Sequence, residues 1–390
     1  MAKLIDITGK ALSGEWGTDD LDGTGIRVLR TTNFTNDGVV DYNDVVTRKI
    51  AKKNLDSKYL CHGDIIIEKS GGSDKQPVGR VIYFEGPEQT YLFNNFTGLL
   101  RVHDRSTWLP RYVFYSLFSN YLMGGTRAYE NRTTGLHNLQ TDSYISSFDV
   151  RSVSIEKQVE ICSNLDKIIH MISLKKKQIS KLDELVKSRF VEMFGAYAAK
   201  DCTRKIGDYA DVLGGYAFKS DLFCTDAIPV IRISNICDGE VTLDYSTCFS
   251  KTFWEQNKRF RAEKMDIMMA MSGATTGKAG LYTNDQPALI NQRVACIRAR
   301  QNRARPEFLF IATQLEWMYD LIQETSAGCA QPNISGKQIE SMPVPDASYE
   351  LQNRFAAFVA EVDKSKLAVK QSLEQLETLK KSLMQQYFGG

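Results

Sequence analysis

The sequence predicts an α+β fold: two β-rich mixed globular domains separated by two long antiparallel coiled-coil helices, related by an internal pseudo-twofold repeat. Three observations predict it. At 390 residues the chain is too long for one ordinary domain. Its motifs are written twice, in the same order. Each half ends in a long segment with an apolar stripe and no proline.

The repeat comes first. Residues 25–34, GIRVLRTTNF, lie over residues 227–236, AIPVIRISNI. Without a gap, Asp64 then falls on Asp266, and Ser70-Gly71 on Ser272-Gly273. After a short length difference Gly79-Arg80 meets Gly277-Lys278, Asn94 meets Asn291, and Arg101 meets Arg298. Pro110, Asn138, Gln158 and Phe194-Gly195 match Pro306, Asn333, Gln352 and Phe388-Gly389. One such match could arise by chance, but an ordered series could not. The implied organisation is a globular domain over 1–152, a helix over 153–195, a second domain over 196–346 and a second helix over 347–390.

Short apolar runs rich in β-branched residues, bounded by Gly, Asn and Asp, predict strands at 25–31, 64–68, 80–84, 228–233, 266–270 and 294–298. Short helices are expected near 111–118 and 307–315. The long helices should run from about 155 to 193 and from about 349 to 387. The first stripe holds Ile161, Leu165, Ile168, Ile172, Ile179, Leu182, Val186 and Met193. The second holds Val359, Val362, Val369, Leu373, Leu376, Leu383 and Tyr387, with Lys366 and Lys380 interrupting it. Steps of three and four over several heptads point to a coiled coil, with each helix the nearest partner of the other. Two heads on such helices suit a rigid, periodic ligand, and duplex DNA is the obvious one.

Composition narrows the class. The chain is 43% apolar and 25% charged, with a net charge of +2, so it is no basic tail that coats nucleic acid. It has no apolar run of membrane-spanning length, and MAKLIDITGK has no apolar export core, so a cytoplasmic location without membrane partners is expected. The eight cysteines (Cys61, Cys162, Cys202, Cys224, Cys237, Cys248, Cys296 and Cys329) stand singly and the four histidines are isolated, which argues for free thiols and no metal site.

The candidate DNA-binding residues fall in the repeated motifs. They are Arg30, Asn33, Ser70, Arg80 and Asn94 in the first half. In the second they are Arg232, Asn235, Ser272, Thr275, Thr276, Lys278, Asn291, Gln292 and Arg293. Arg, Asn and Gln can make bidentate contacts to base edges, while Ser, Thr, Lys and backbone N–H groups hold phosphates. Two basic stretches, 258–261 and 293–305, read either as solvated surface or as DNA contacts. Arg30 and Arg232 read equally as salt-bridge partners or as DNA contacts, and Lys175-Lys176-Lys177 reads as a solvated helix face before a phosphate site. The loop 272–278, SGATTGK, has the wrong glycine spacing for a nucleotide-binding loop and no Ser or Thr after its lysine. No methyltransferase motif, cofactor-binding strand–turn–helix or nucleophile–base context stands out, so no catalytic residue is assigned. Pattern alone leaves a nuclease carboxylate cluster open.

Several of these segments resemble a known family. Residues 214–220 (GGYAFKS), 228–236, 272–278, 291–293 (NQR) and 182–195 (LDELVKSRFVEMFG) are similar to the target recognition domain and spacer helix of type I restriction–modification specificity (S) subunits. The order domain, helix, domain, helix is the family's order. The first half departs from the pattern. It carries SGGSDKQPVGR at 70–80, and no counterpart of GGYAFKS is recognisable near 12–20. The resemblance implies a non-catalytic subunit that reads a bipartite, asymmetric double-stranded DNA target. It implies docking of two methyltransferase subunits that carry S-adenosylmethionine and modify adenine N6. Restriction subunits using ATP and Mg would complete the complex, and this chain would bind no cofactor itself. The alternatives are a duplicated-domain enzyme of DNA metabolism and a coiled-coil scaffold that binds only proteins.

Overall fold

The structure is a computed structural model that describes residues 1–52, 54–133, 136–225, 227–326 and 332–389. The chain divides into two compact units. Unit 1 is Met1–Leu174 with Leu373–Gly390, and unit 2 is Lys175–Ser372. The two long helices run over Ile155–Phe194 and Tyr349–Phe388, within a residue of the expected bounds. Each contributes its first half to one unit and its second half to the other, which a division of the sequence into consecutive segments could not express.

The central strand of each unit explains its continuous apolar run. Ile65–Glu68 in unit 1 and Ile267–Ala270 in unit 2 are buried at every position. Successive side chains of a strand point to opposite faces, so such a run must be covered on both. In unit 1, Ile65 and Ile67 join one apolar cluster and Ile66 the other. In unit 2, Ile267 and Met269 join one, and Met268 and Ala270 the other.

The sheets repeat as the motifs do. In unit 1, Ile65–Glu68 lies between Thr97–Leu100 and Val81–Tyr83, antiparallel to both. In unit 2, Ile267–Ala270 lies between Val294–Ala299 and Ala279–Leu281, again antiparallel. A second sheet in each unit contains one parallel pair: Ile26–Leu29 with Tyr91–Phe93, and Ile228–Ile231 with Leu289–Ile290. The short helices are Pro110–Leu122 and Pro306–Thr313, each opened by a proline at its first turn, where no intrahelical N–H is lost.

The helix stripes are buried within these cores. In unit 1, Ile161 and Leu165 pack with Met384, and Leu383 is partly buried against them. Ile168 is buried as well. In unit 2, Val186 and Phe190 pack with Phe355, Val359 and Val362, with Leu182 partly buried. Phe190 meets Phe355 at 5.4 Å and Phe194 meets Phe308 at 4.8 Å between ring centroids; Phe388 and Tyr112 form the corresponding pair in unit 1 at 5.3 Å. Ile179, Leu373 and Leu376 are only half-buried, so the seam thins towards the helix middles. The lysines that interrupt the second stripe find partners. Lys366 Nζ lies 2.5 Å from Asp183, and Lys380 Nζ sits 5.5 Å from the centre of the Phe118 ring and 3.9 Å from Asp37.

The joint between sheet domain and long helix is a buried glutamine. Gln158 and Gln352 are both fully buried one turn into their helices. Gln158 Nε2 donates to the carbonyls of Thr107 (2.9 Å) and Val153 (3.1 Å), and its Oε1 accepts from the Leu109 N–H (2.9 Å). Gln352 repeats this with Arg303 (3.4 Å), Ala347 (3.0 Å) and the Arg305 N–H (2.9 Å).

Among the described residues no helix is long and apolar enough to cross a membrane, and no group of three metal-ligating side chains is poised to hold an ion. The described cysteines are free thiols, and Cys329 lies outside the described residues.

The joint predicts a stability effect. Gln352→Ala leaves buried backbone groups without partners and should cost about 1–3 kcal/mol. The expected readout is a lower urea midpoint with an unchanged slope; an unshifted midpoint would show that the joint does not depend on this side chain.

Candidate nucleic-acid interface

The candidate interface is built from loops that share one edge of each unit. In unit 2 the chain leaves Ala210–Gly214 through Gly215 and Tyr216. It passes so close to another strand end that a Cβ on Gly215 would lie 2.2 Å from the Asn291 carbonyl oxygen. Only glycine fits there. The Tyr216 N–H donates to the Ile290 carbonyl (2.8 Å), and the Gln292 N–H donates to the Tyr216 carbonyl (2.9 Å). Asn291 N–H in turn donates to the Ile231 carbonyl (3.0 Å), just before the Arg232 turn, and Met271 N–H to the Arg293 carbonyl (2.9 Å), just before the Ser272 loop. Backbone hydrogen bonds therefore tie four sequence-distant segments together: 214–216, 231–235, 271–278 and 291–294.

Unit 1 repeats the arrangement and supplies the piece that sequence comparison missed. A Cβ on Gly14 would lie 2.1 Å from the Asn94 carbonyl oxygen, and the Glu15 N–H donates to the Phe93 carbonyl (2.8 Å). Ser13-Gly14-Glu15 is therefore the counterpart of Gly214-Gly215-Tyr216. Its one detectable signal is a single glycine, too little to align from sequence.

The structure sorts the candidate residues by how their polar groups are used. Asn33 and Asn235 are buried, and their Oδ1 atoms accept from the Arg30 and Arg232 N–H groups at 2.9 Å. Asn33 Nδ2 also donates to the carbonyls of Asp41 and Asp44. Both asparagines brace their own turn. Arg30 and Arg232 make ion pairs with Asp44 (2.8 Å) and Asp244 (3.2 Å), each with a buried Nε that has no partner among the described residues. The salt-bridge reading is the one the geometry realises. Arg80 is held by the buried carboxylate of Glu68 (2.8 Å) and by the Phe34 and Thr31 carbonyls, so it too is a brace. Asn94 is buried, and Ser70 is half-buried in a strand pairing with Asn138. Thr276 is buried, and its hydroxyl donates to the Gly273 (2.8 Å) and Pro332 (3.1 Å) carbonyls.

A smaller set remains available in unit 2. Gln292, Arg293 and Lys278 are exposed and have no side-chain partner among the described residues. The Ser272 and Thr275 hydroxyls are likewise unpartnered, though shielded. Asn291 Oδ1 accepts from the Arg293 N–H (3.1 Å) and so shapes the tip from which Gln292 and Arg293 project. In unit 1, Asn95 stands at the Gln292 position and is exposed.

Most of the arginine-rich run is structural. Arg298 pairs with Asp266 (2.6 Å) and Glu263 (2.7 Å), Arg300 with Asp211 (2.8 Å) and Arg305 with Glu307 (3.1 Å). The Asp266 hydrogen bonds hold the Arg298 guanidinium well above its ordinary pKa. Arg101 makes the equivalent pair with buried Asp64 at 2.6 Å. Hydrogen bonds from Lys52 and Lys58 hold the Glu15 carboxyl below its ordinary range, and burial pushes the nearby Lys69 ammonium down. Arg261 stacks on Trp254 at 3.9 Å, leaving Lys258 and Arg259 exposed in the segment 258–261.

Comparison with known proteins agrees with this geometry. The family profile described as type I restriction modification DNA specificity domain matches residues 201–378. The type I MjaVIII specificity subunit of Methanocaldococcus jannaschii is 21% identical over 294 residues, covering 70% of this chain and 68% of that one. The chain is thus similar to type I restriction–modification specificity subunits. The EcoBI specificity subunit of Escherichia coli is 28% identical over 169 residues, 42% of this chain and 35% of that one. Two solved structures share the fold over 99% of the chain. One, from work on assembly and conformational transition of a type I system, has a TM-score of 0.54 at 13% identity and is covered over 96% of its length. The other, the S subunit of M. genitalium, has a TM-score of 0.52 at 14% identity and is covered over 95%.

The sorting predicts two kinds of variant. Asn235→Ala removes a turn brace and should lower stability by about 1 kcal/mol. Lys278→Ala should leave the melting transition in place, weaken DNA binding by the assembled complex across all sequences and reduce its salt dependence by about one counterion. Parallel melting and salt-titration experiments check both; equal loss of stability in the two variants would make Lys278 another brace.

Proposed function

We propose that this chain is the DNA-reading subunit of a type I restriction–modification complex, with one half of a bipartite, asymmetric target read by each unit. The observation that carries the reading is the contrast between frame and tip. The Asn caps, the Arg–Asp pairs and the close-packed glycine recur in both units, while the exposed tip is Asn95-Phe96 in one and Gln292-Arg293 in the other. Equivalent frames carrying different tips suit two different half-sites.

In this reading the chain performs no chemistry and binds no cofactor. Two methyltransferase subunits dock on it and transfer the methyl group of S-adenosylmethionine to adenine N6, on a base swung out of the duplex. Restriction subunits supply ATP- and Mg-dependent cleavage.

The test is a methylation map. The chain is co-expressed with its methyltransferase subunit in a host without such systems, and the genomic DNA is sequenced with detection of modified bases. The expected outcome is a two-part N6-methyladenine motif that vanishes when this chain is omitted. A soluble complex that marks no motif, or the same motif without this chain, would overturn the reading.

A further inference from the structure

Two exposed aromatic rings stand beside the reading tips. Phe96 is 52% exposed and belongs to none of the apolar clusters, although it lies on the unit 1 tip next to Asn95. Its place is fixed, since the Lys69 N–H donates to its carbonyl at 2.8 Å as the Met271 N–H does to that of Arg293. Tyr216 is 38% exposed on the unit 2 flank, and its carbonyl accepts from the Gln292 N–H. Its ring cannot sink inwards, because Phe253, Phe218 and Phe260 back it at centroid distances of 4.8, 5.0 and 5.2 Å.

The two units thus exchange roles between neighbouring positions. Unit 1 has the aromatic on the tip (Phe96) and a charge on the flank (Glu15, held by Lys52 and Lys58). Unit 2 has the charge on the tip (Arg293) and the aromatic on the flank (Tyr216). Single exposed apolar residues are common and need no explanation. One beside the tip of each unit, next to an exposed amide (Asn95 in unit 1, Gln292 in unit 2), is a different matter. Around Tyr216 the exposed Lys258, Arg259 and Arg293 form a cationic rim suited to a polyanion.

Resting on the DNA-reading role above, we propose that Phe96 and Tyr216 are specificity-determining residues that touch apolar base surface, Phe96 in the half-site read by unit 1 and Tyr216 in the half-site read by unit 2. In a groove, apolar base surface is either a thymine methyl or the face of a partly unstacked step.

The test uses the assembled methyltransferase complex and a duplex carrying the mapped motif. Phe96→Ser should relax base preference in one half-site only, and Tyr216→Ala in the other, each weakening cognate binding about tenfold. Tyr216→Phe should retain wild-type preference. The salt slope should stay unchanged, because an uncharged contact releases no counterion. The melting transition of Phe96→Ser should not move. Uracil in place of thymine separates the two sources. Weaker wild-type binding, with no change for the variant, identifies a methyl; no effect identifies an unstacked step. Variants that keep the full motif and affinity, or a Phe96→Ser loss spread evenly over both half-sites, would overturn the inference while wild-type reading stands. A wild-type complex that marks no motif would instead remove the DNA-reading role itself.

Discussion

The fold depends on a constraint at each helix entrance. A 40-residue helix that leaves a sheet domain must start at a set point and angle, and apolar packing alone is too forgiving to set either. Gln158 and Gln352 supply the direction. Each satisfies both a donor and an acceptor of the loop before the short helix while itself standing on the long one. Buried and fully bonded, such an amide tolerates little displacement, because any slip strands polar groups away from water. The aromatic packing follows from that start. Phe190, Phe194, Phe308 and Phe355 meet in unit 2 because both helices enter the core in register with the sheet.

Within each unit the frame and the candidate reading surface are separable. The frame is buried and charge-compensated: Asp64 with Arg101, Asp266 with Arg298, Glu68 with Arg80. Removing one partner of such a pair leaves an uncompensated buried charge, which is strongly destabilising. The tips carry no such obligation. Gln292, Arg293, Lys278, Asn95 and Phe96 are exposed, so they can change without unfolding the domain. A duplicated frame with free tips can take on two different targets, as the proposed reading of an asymmetric site requires.

The long helices were legible almost to the residue. Their stripe repeats locally and no proline or glycine interrupts it, so neighbours in sequence carry the signal. The central strands were legible for a related reason, since burial on both faces writes an unbroken apolar run. The arrangement of the units was not. Each helix serves two cores, Ile161 and Leu165 one and Val186 and Phe190 the other, and only three-dimensional packing reveals that division.

The candidate site divides along the same line. Sequence alone determined that the chain is duplicated, where its helices and central strands lie, and which segments carry the polar residues that gather at one edge. Those properties are local or periodic. Only the tertiary structure decided which of those residues are free. Arg80 and Lys278 align, yet Glu68 claims the first, while the position equivalent to Glu68 in unit 2 is Ala270, which leaves the second unpaired. The Asn33 amide braces a turn, while the Phe96 ring stands in solvent. Whether a polar or aromatic side chain faces a partner, a core or water depends on strand register and on residues far away in sequence, and no local pattern contains that information.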